Sequence, residues 1–177
     1  MRRWLPFVLL LTGCSAAPVA TAPSSTTTET TTTTVATTSP RIDTPRKLAG
    51  ADPCQMLTAA DLGGTLFGSP QPHPAVPRSC LMQVGPGTEK DMMVLVAFGD
   101  AYARPDKAVE MLIGDGHSAA TSCAATPQGV ECTTLVAINA TESLKVVVRL
   151  PDGNADQVAS IVQEHAKDAF ARVPVTS

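Results

Sequence analysis

His73, His117 and His165 are the only imidazoles of the chain, and none belongs to an HExxH motif or any other closely spaced ligand pair. Gly114-Asp115-Gly116-His117-Ser118 sets an acid, an imidazole and a hydroxyl within four positions. These are the groups of a nucleophilic triad, but residues so near in sequence do not reach triad geometry unaided, and the chain has no GxSxG elbow. A turn between two elements explains the Gly and Asp. His165 falls on the apolar stripe of a C-terminal helix and reads as a core-edge histidine. Lys145 and Arg149 share one side of a strand, where they suit an anionic partner and equally suit solvation of an exposed sheet face. Pro74-Ala75-Val76-Pro77 satisfies PxxP and Asn139-Ala140-Thr141 satisfies the N-glycosylation pattern, but a closed loop and a hairpin turn explain them more simply. No glycine-rich phosphate loop is present.

The five cysteines carry more information. Cys14 ends a segment with a basic head at Arg2-Arg3, an apolar run from Trp4 to Leu11 and then small residues, which is the pattern of an export signal. That run is far shorter than the roughly 20 residues a membrane-spanning helix needs. Leu11-Thr12-Gly13-Cys14 resembles the lipobox of bacterial prolipoproteins, in which diacylglycerol is placed on the cysteine thiol and the chain is cut in front of it. The resemblance implies residues 1–13 as a signal peptide and Cys14 as the lipidated N-terminus, on the extracytoplasmic face of the cell membrane. Two acyl chains suffice for stable anchoring.

Residues 14–50 then read as the lipidated cysteine and a disordered tether, centred on Thr26-Thr27-Thr28-Glu29-Thr30-Thr31-Thr32-Thr33-Thr34. Such a segment buries too little apolar surface to offset the entropy of ordering it. Its composition is shared by O-glycosylated stalks and by unmodified linkers. Residues 51–177 form a single globular domain. Aromatic residues are 3% of the chain and its one Trp lies in the signal, so the core is expected from Val, Leu, Ile and Met with Phe67, Phe98 and Phe170. Loss of the signal removes two arginines and no acid, taking the formal charge from −3 to −5. That balance argues against nucleic acid and against a polybasic membrane-binding surface.

With Cys14 committed to lipid, Cys54, Cys80, Cys123 and Cys132 remain, an even number in an exported chain. Thr126-Pro127-Gln128-Gly129 has the residues of a tight turn. Counting outward from it pairs 126 with 129, 125 with 130, 124 with 131 and 123 with 132. Directly opposed residues lie within disulfide reach, so the expected bridges are Cys123–Cys132 and, by elimination, Cys54–Cys80. The lack of a CxxC pair and the oxidising destination argue against a metal site, and no cofactor is expected.

The elements that position these residues follow from periodicity. A helix is expected from Asp52-Pro53 to about Leu66, renewed by a Thr58–Asp61 capping pair, and then a proline loop from Ser69 to Pro77. Strands are expected over 79–84, 92–98, 118–124, 130–138 and 144–150, a short helix over 105–113 and a longer one over 156–173. The fold class is α+β: a curved antiparallel sheet of about five strands with helices packed on one face and the other face wet.

Asp52-Pro53-Cys54-Gln55-Met56-Leu57-Thr58-Ala59-Ala60-Asp61-Leu62, then Arg78-Ser79-Cys80 before a strand, Cys132 in a later strand and a closing helix together resemble a family of small actinobacterial cell-surface lipoproteins that carry a domain of unknown function. That family has an aromatic residue after the second cysteine, where this chain has Leu81-Met82. The resemblance implies an actinobacterial envelope location and supplies no catalytic residues. The expected function is a non-catalytic binding or interaction module whose partners are the membrane, through Cys14, and an envelope protein or cell-wall component. Its site would be the open sheet face or the proline loop. The alternatives are a carrier of an apolar or lipid ligand, in a cavity lined by residues such as Met92, Val94, Val146 and Phe170, and a cell-envelope hydrolase.

Overall fold

A computed structural model describes residues 39–176. The signal peptide, Cys14 and the threonine-rich part of the tether lie outside the described residues. The chain runs through a 3-10 turn at Pro53–Gln55 and then β1 (Gln71–Pro72), β2 (Ser79–Val84), β3 (Met92–Gly99), β4 (Val109–Ile113), β5 (His117–Thr126), β6 (Gly129–Ala137), β7 (Ser143–Leu150) and α1 (Ala155–Ala171). The strands form one antiparallel sheet in the order β1-β2-β3-β7-β6-β5-β4. The α+β class holds, with seven strands in place of about five and one α-helix in place of several among the described residues.

Alternation decides the two faces. Val94 and Val96 of β3, Val146 and Val148 of β7, and Cys132, Thr134 and Val136 of β6 are all wholly buried on one face. The closing helix covers this face. Asn154 caps it by accepting a hydrogen bond from the Gln157 amide at 2.9 Å, and Val158, Val162, Ala166, Ala169 and Phe170 form its buried stripe. The opposite face carries Leu81, Gln83, Met93, Leu95, Lys145, Arg149, Glu131 and Thr133. The Asp100–Ala108 connection links β3 to β4 at the far edge of the sheet. On this second face the small side chains Ala97, Ala120 and Ala137 are buried, so only part of it is open.

The β5–β6 hairpin has the expected register, from Thr126 opposite Gly129 out to Cys123 opposite Cys132. Both expected disulfides are present, Cys54–Cys80 with Cα atoms 5.0 Å apart and Cys123–Cys132 with Cα atoms 4.0 Å apart.

Four expectations need correction. The helix expected from Pro53 to Leu66 is one 3-10 turn followed by turns. The Thr58–Asp61 pair does form, with the Thr58 amide donating to Asp61 at 2.6 Å, but it closes a single turn, and Gly63-Gly64 follow. The helix expected over 105–113 is a turn leading into β4, because Val109–Ile113 finds a ladder partner in β5, and pairing outweighs the weak preference of so short a segment. The proline loop contains β1, two residues at the sheet edge, where a proline costs no ladder bond. Phe67, expected in the core, is 55% exposed.

The domain also starts earlier than position 51. Residues 39–50, read with the tether, lie along the domain as a strap: Leu48 is 1% exposed and Arg46 bridges to Val175. A single leucine among Pro, Arg and Lys has no periodicity to signal its burial.

Candidate functional site

His117 opens β5 on the covered face and is wholly buried. Its Nδ1 lies 2.6 Å from the Ala137 carbonyl oxygen and its Nε2 lies 2.9 Å from that of Thr44 in the strap. A neutral ring donates to one of these oxygens and an imidazolium to both. The neighbours in sequence turn elsewhere. Asp115 pairs with Arg46 at 2.8 Å, and the Ser118 hydroxyl accepts from the Arg41 amide at 2.8 Å. The acid, imidazole and hydroxyl of this segment therefore serve three separate contacts, and their work is to hold the strap.

His165 is buried on α1, and neither ring nitrogen has a partner among the described residues. Burial pushes its pKa below the ordinary imidazole value, against the pull of Asp168, Glu164 and Asp61. His73, in the proline loop, accepts a hydrogen bond from the Ala75 amide at 3.2 Å. No histidine ring bonds a carboxylate or hydroxyl among the described residues. Val94, Val146 and Phe170, named as lining for an apolar ligand, are at most 1% exposed within one contiguous core, with half-buried Met92 packed against it. The space between sheet and helix is occupied by side chains.

A concave feature lies on the other face. A cleft of about 830 Å³ opens where β2 and β7 end and β3 begins, bounded by the Gly85–Asp91 loop, the Pro127–Gly129 turn and Pro151-Asp152. Gln83, Met93 and Arg149 come to it from the sheet, with Met93 and Arg149 directly opposed across the β3–β7 ladder. The loop is built around Asp91. One carboxylate oxygen accepts from the Gly87 amide at 2.7 Å, the Thr88 amide at 3.1 Å and the Gln83 side chain at 2.9 Å, and the other accepts from the Thr88 hydroxyl at 2.7 Å. Burial pushes this carboxyl up, but those four bonds outweigh it and hold its pKa below the usual range. The φ of +145° at Gly85, with the Asp91 carboxylate 2.5 Å from where a Cβ would stand, leaves room for glycine alone.

The charges of the cleft are unevenly committed. Asp91 is satisfied by its own loop, and Lys90 pairs with Asp152 at 3.4 Å in an exposed contact. Arg149 is half-buried and has no ion-pair partner among the described residues, although Glu131 stands opposite it across the β6–β7 ladder. A strand fixes its backbone, and a guanidinium so held presents a fork suited to a carboxylate or phosphate. Lys145, four residues away on the same strand and face, is exposed and also lacks an ion-pair partner among the described residues.

Sequence reasoning singled out Lys145 and Arg149 but not the loop that makes a cleft beside Arg149. The signal for it was Gly85-Pro86-Gly87-Thr88, a run of turn residues between two strands, with an acid three residues beyond. Among the described residues no helix is long and apolar enough to cross a membrane, and no cluster of His, Cys, Asp and Glu could hold a metal ion. Comparison with protein families, curated proteins and solved structures finds no match for this chain.

Proposed function

We propose that the protein is a lipid-anchored envelope lipoprotein, held on the extracytoplasmic face of the membrane through Cys14, whose domain acts as a non-catalytic binding module. Its recognition surface is the open part of the sheet face turned away from α1, and the cleft at Arg149 takes an anionic group of an envelope component. One observation carries the choice of site: a half-buried guanidinium on a strand, without a counter-ion among the described residues, beside Asp91, which its own loop satisfies, and Asp152, which Lys90 pairs, while the remaining acid of the lining, Glu89, is exposed. The likeness of the Asp52-Pro53-Cys54 opening and the later cysteines to actinobacterial surface lipoproteins supports the envelope setting. The filled space between sheet and helix, and the separate contacts of Asp115, His117 and Ser118, leave the carrier and hydrolase readings without an observation to favour them.

The test is retention of envelope components on the immobilised mature chain carrying Cys14→Ser, compared with the same chain carrying Arg149→Ala as well. A component retained by the first and depleted at least tenfold on the second is the expected result, since a charge-assisted bond is worth about 1.5 to 3 kcal/mol. Equal retention by both, or by neither, overturns the assignment of the cleft.

A further inference from the structure

The sheet has two edges, and only one is protected. At β1 the edge is two residues long and lies within Ser69-Pro70-Gln71-Pro72-His73-Pro74, where prolines remove the donors a further strand would need. At the other edge β4 is five residues, Val109-Glu110-Met111-Leu112-Ile113, with no proline, glycine or lysine. Val109 is 67% exposed and Leu112 53% exposed, two of the most exposed large apolar residues of the described domain. Among the described residues, no backbone group of Val109–Ile113 bonds outside the β4–β5 ladder. An apolar edge with unpaired N–H and C=O groups is a template for another strand.

We propose that β4 pairs with β4 of a second copy of this chain, antiparallel about a two-fold axis through Met111, so that the two sheets become continuous. The sequence of the edge is complementary to itself in this register. Val109 faces Ile113 of the second copy, Met111 faces Met111, and Glu110 faces Leu112, so apolar residues meet on the α1 side and the one charge never meets its own image. Glu110 is also drawn aside by Arg104 at 3.3 Å, which neutralises the only charged position on the edge. A slip of two residues one way sets Glu110 opposite Glu110, at a cost of roughly 0.2 to 1 kcal/mol per like pair. A slip the other way runs the pairing off β4 onto Gly114. Symmetric pairing of this kind closes after two copies and leaves no edge except the proline-blocked ones. Five residues bury less than a standard interface, so the association is weak and concentration-dependent.

Sedimentation of the mature Cys14→Ser chain between about 10 µM and 1 mM, chosen to bracket a weak dimer, is expected to show a monomer–dimer equilibrium. Leu112→Glu, at an exposed position that leaves the core untouched, sets a second carboxylate opposite Glu110 of the other copy on both sides of the two-fold and is expected to weaken it at least tenfold. The register is read by cysteine cross-linking. Met111→Cys is expected to give a covalent dimer on mild oxidation, whereas Val109→Cys, whose two copies lie about 13 Å apart along the strand, is not. A monomer throughout the range, an unaffected dimer in Leu112→Glu, or equal cross-linking at 109 and 111 overturns the proposal.

Discussion

The guanidinium of Arg46 lies 4.4 Å from the centroid of the Phe170 ring, joining the strap at the start of the described chain to the helix near its end. The same arginine donates to the Val173 carbonyl at 2.7 Å and pairs with Asp115, while Phe170 meets the edge of His117 at a centroid distance of 4.7 Å. The strap therefore spans the β4–β5 turn, the β6 end and the C-terminal segment. Leu48, beside it, has its amide bonded to Glu142 at 3.0 Å.

The strap is a structural part of the domain, so its removal is expected to be costly. A chain beginning at Ala51 loses the buried Leu48 and every contact of Arg46, and is expected to be less stable than one beginning at Ser39 by about 3 kcal/mol or more. Urea unfolding of the two measures this, and coincident transitions would show that the strap merely lies on the surface.

The two disulfides are expected to differ in worth. Cys54–Cys80 closes a separation of 26 residues and Cys123–Cys132 one of 9, for which loop-closure entropy gives about 3.5 and about 2.6 kcal/mol. Paired Cys→Ala variants compared by thermal unfolding are expected to rank in that order. Peptide mapping without reduction should recover 54 with 80 and 123 with 132, and any other pairing contradicts the sheet register.

Acid is expected to destabilise the domain in two separate ranges. His165 has a depressed pKa in the fold, so the unfolded chain takes up its proton first, and stability falls as pH drops below the ordinary imidazole value of about 6.5. Asp61 is held at about 2: burial opposes this, but hydrogen bonds from Thr58 and the Arg172 guanidinium prevail. Its contribution is complete above the ordinary carboxyl range and is lost as pH falls toward 2. Denaturation across pH should show both losses, with His165→Leu abolishing the first alone. An unchanged profile in that variant would remove His165 from the account.

Lipidation at Cys14 predicts that a radiolabelled fatty acid supplied to growing cells enters the native chain and not Cys14→Ala. It also predicts that the variant leaves the membrane fraction. Label persisting in Cys14→Ala would place the lipid elsewhere.

Much of the sheet was legible because its strands obey period two and its hairpin carries a turn with recognisable chemistry. Thr126-Pro127-Gln128-Gly129 was enough to set the register and with it the Cys123–Cys132 bridge. The closing helix was legible for the same kind of reason, an apolar stripe at helical spacing. Elements whose shape depends on distant partners were not. Val109–Ile113 becomes a strand because β5 lies alongside, and the segment after Pro53 stays in turns while Cys54 is tied to Cys80. Of the candidate site, Arg149 was visible as a basic residue on the strand face opposite the apolar one. Its cleft was not, since it arises where three separate connections meet at one end of the sheet.

The central claim is that the cleft at Arg149 is the recognition site of the domain. A titration of the isotopically labelled mature Cys14→Ser chain with peptidoglycan fragments bearing free stem-peptide carboxylates, followed by amide chemical shifts, tests it most directly. Saturable shifts are expected at Gly87, Thr88, Gln128, Gly129 and Arg149, lost in Arg149→Ala and with amidated fragments. Shifts confined to the proline loop, or none at millimolar fragment, would contradict it.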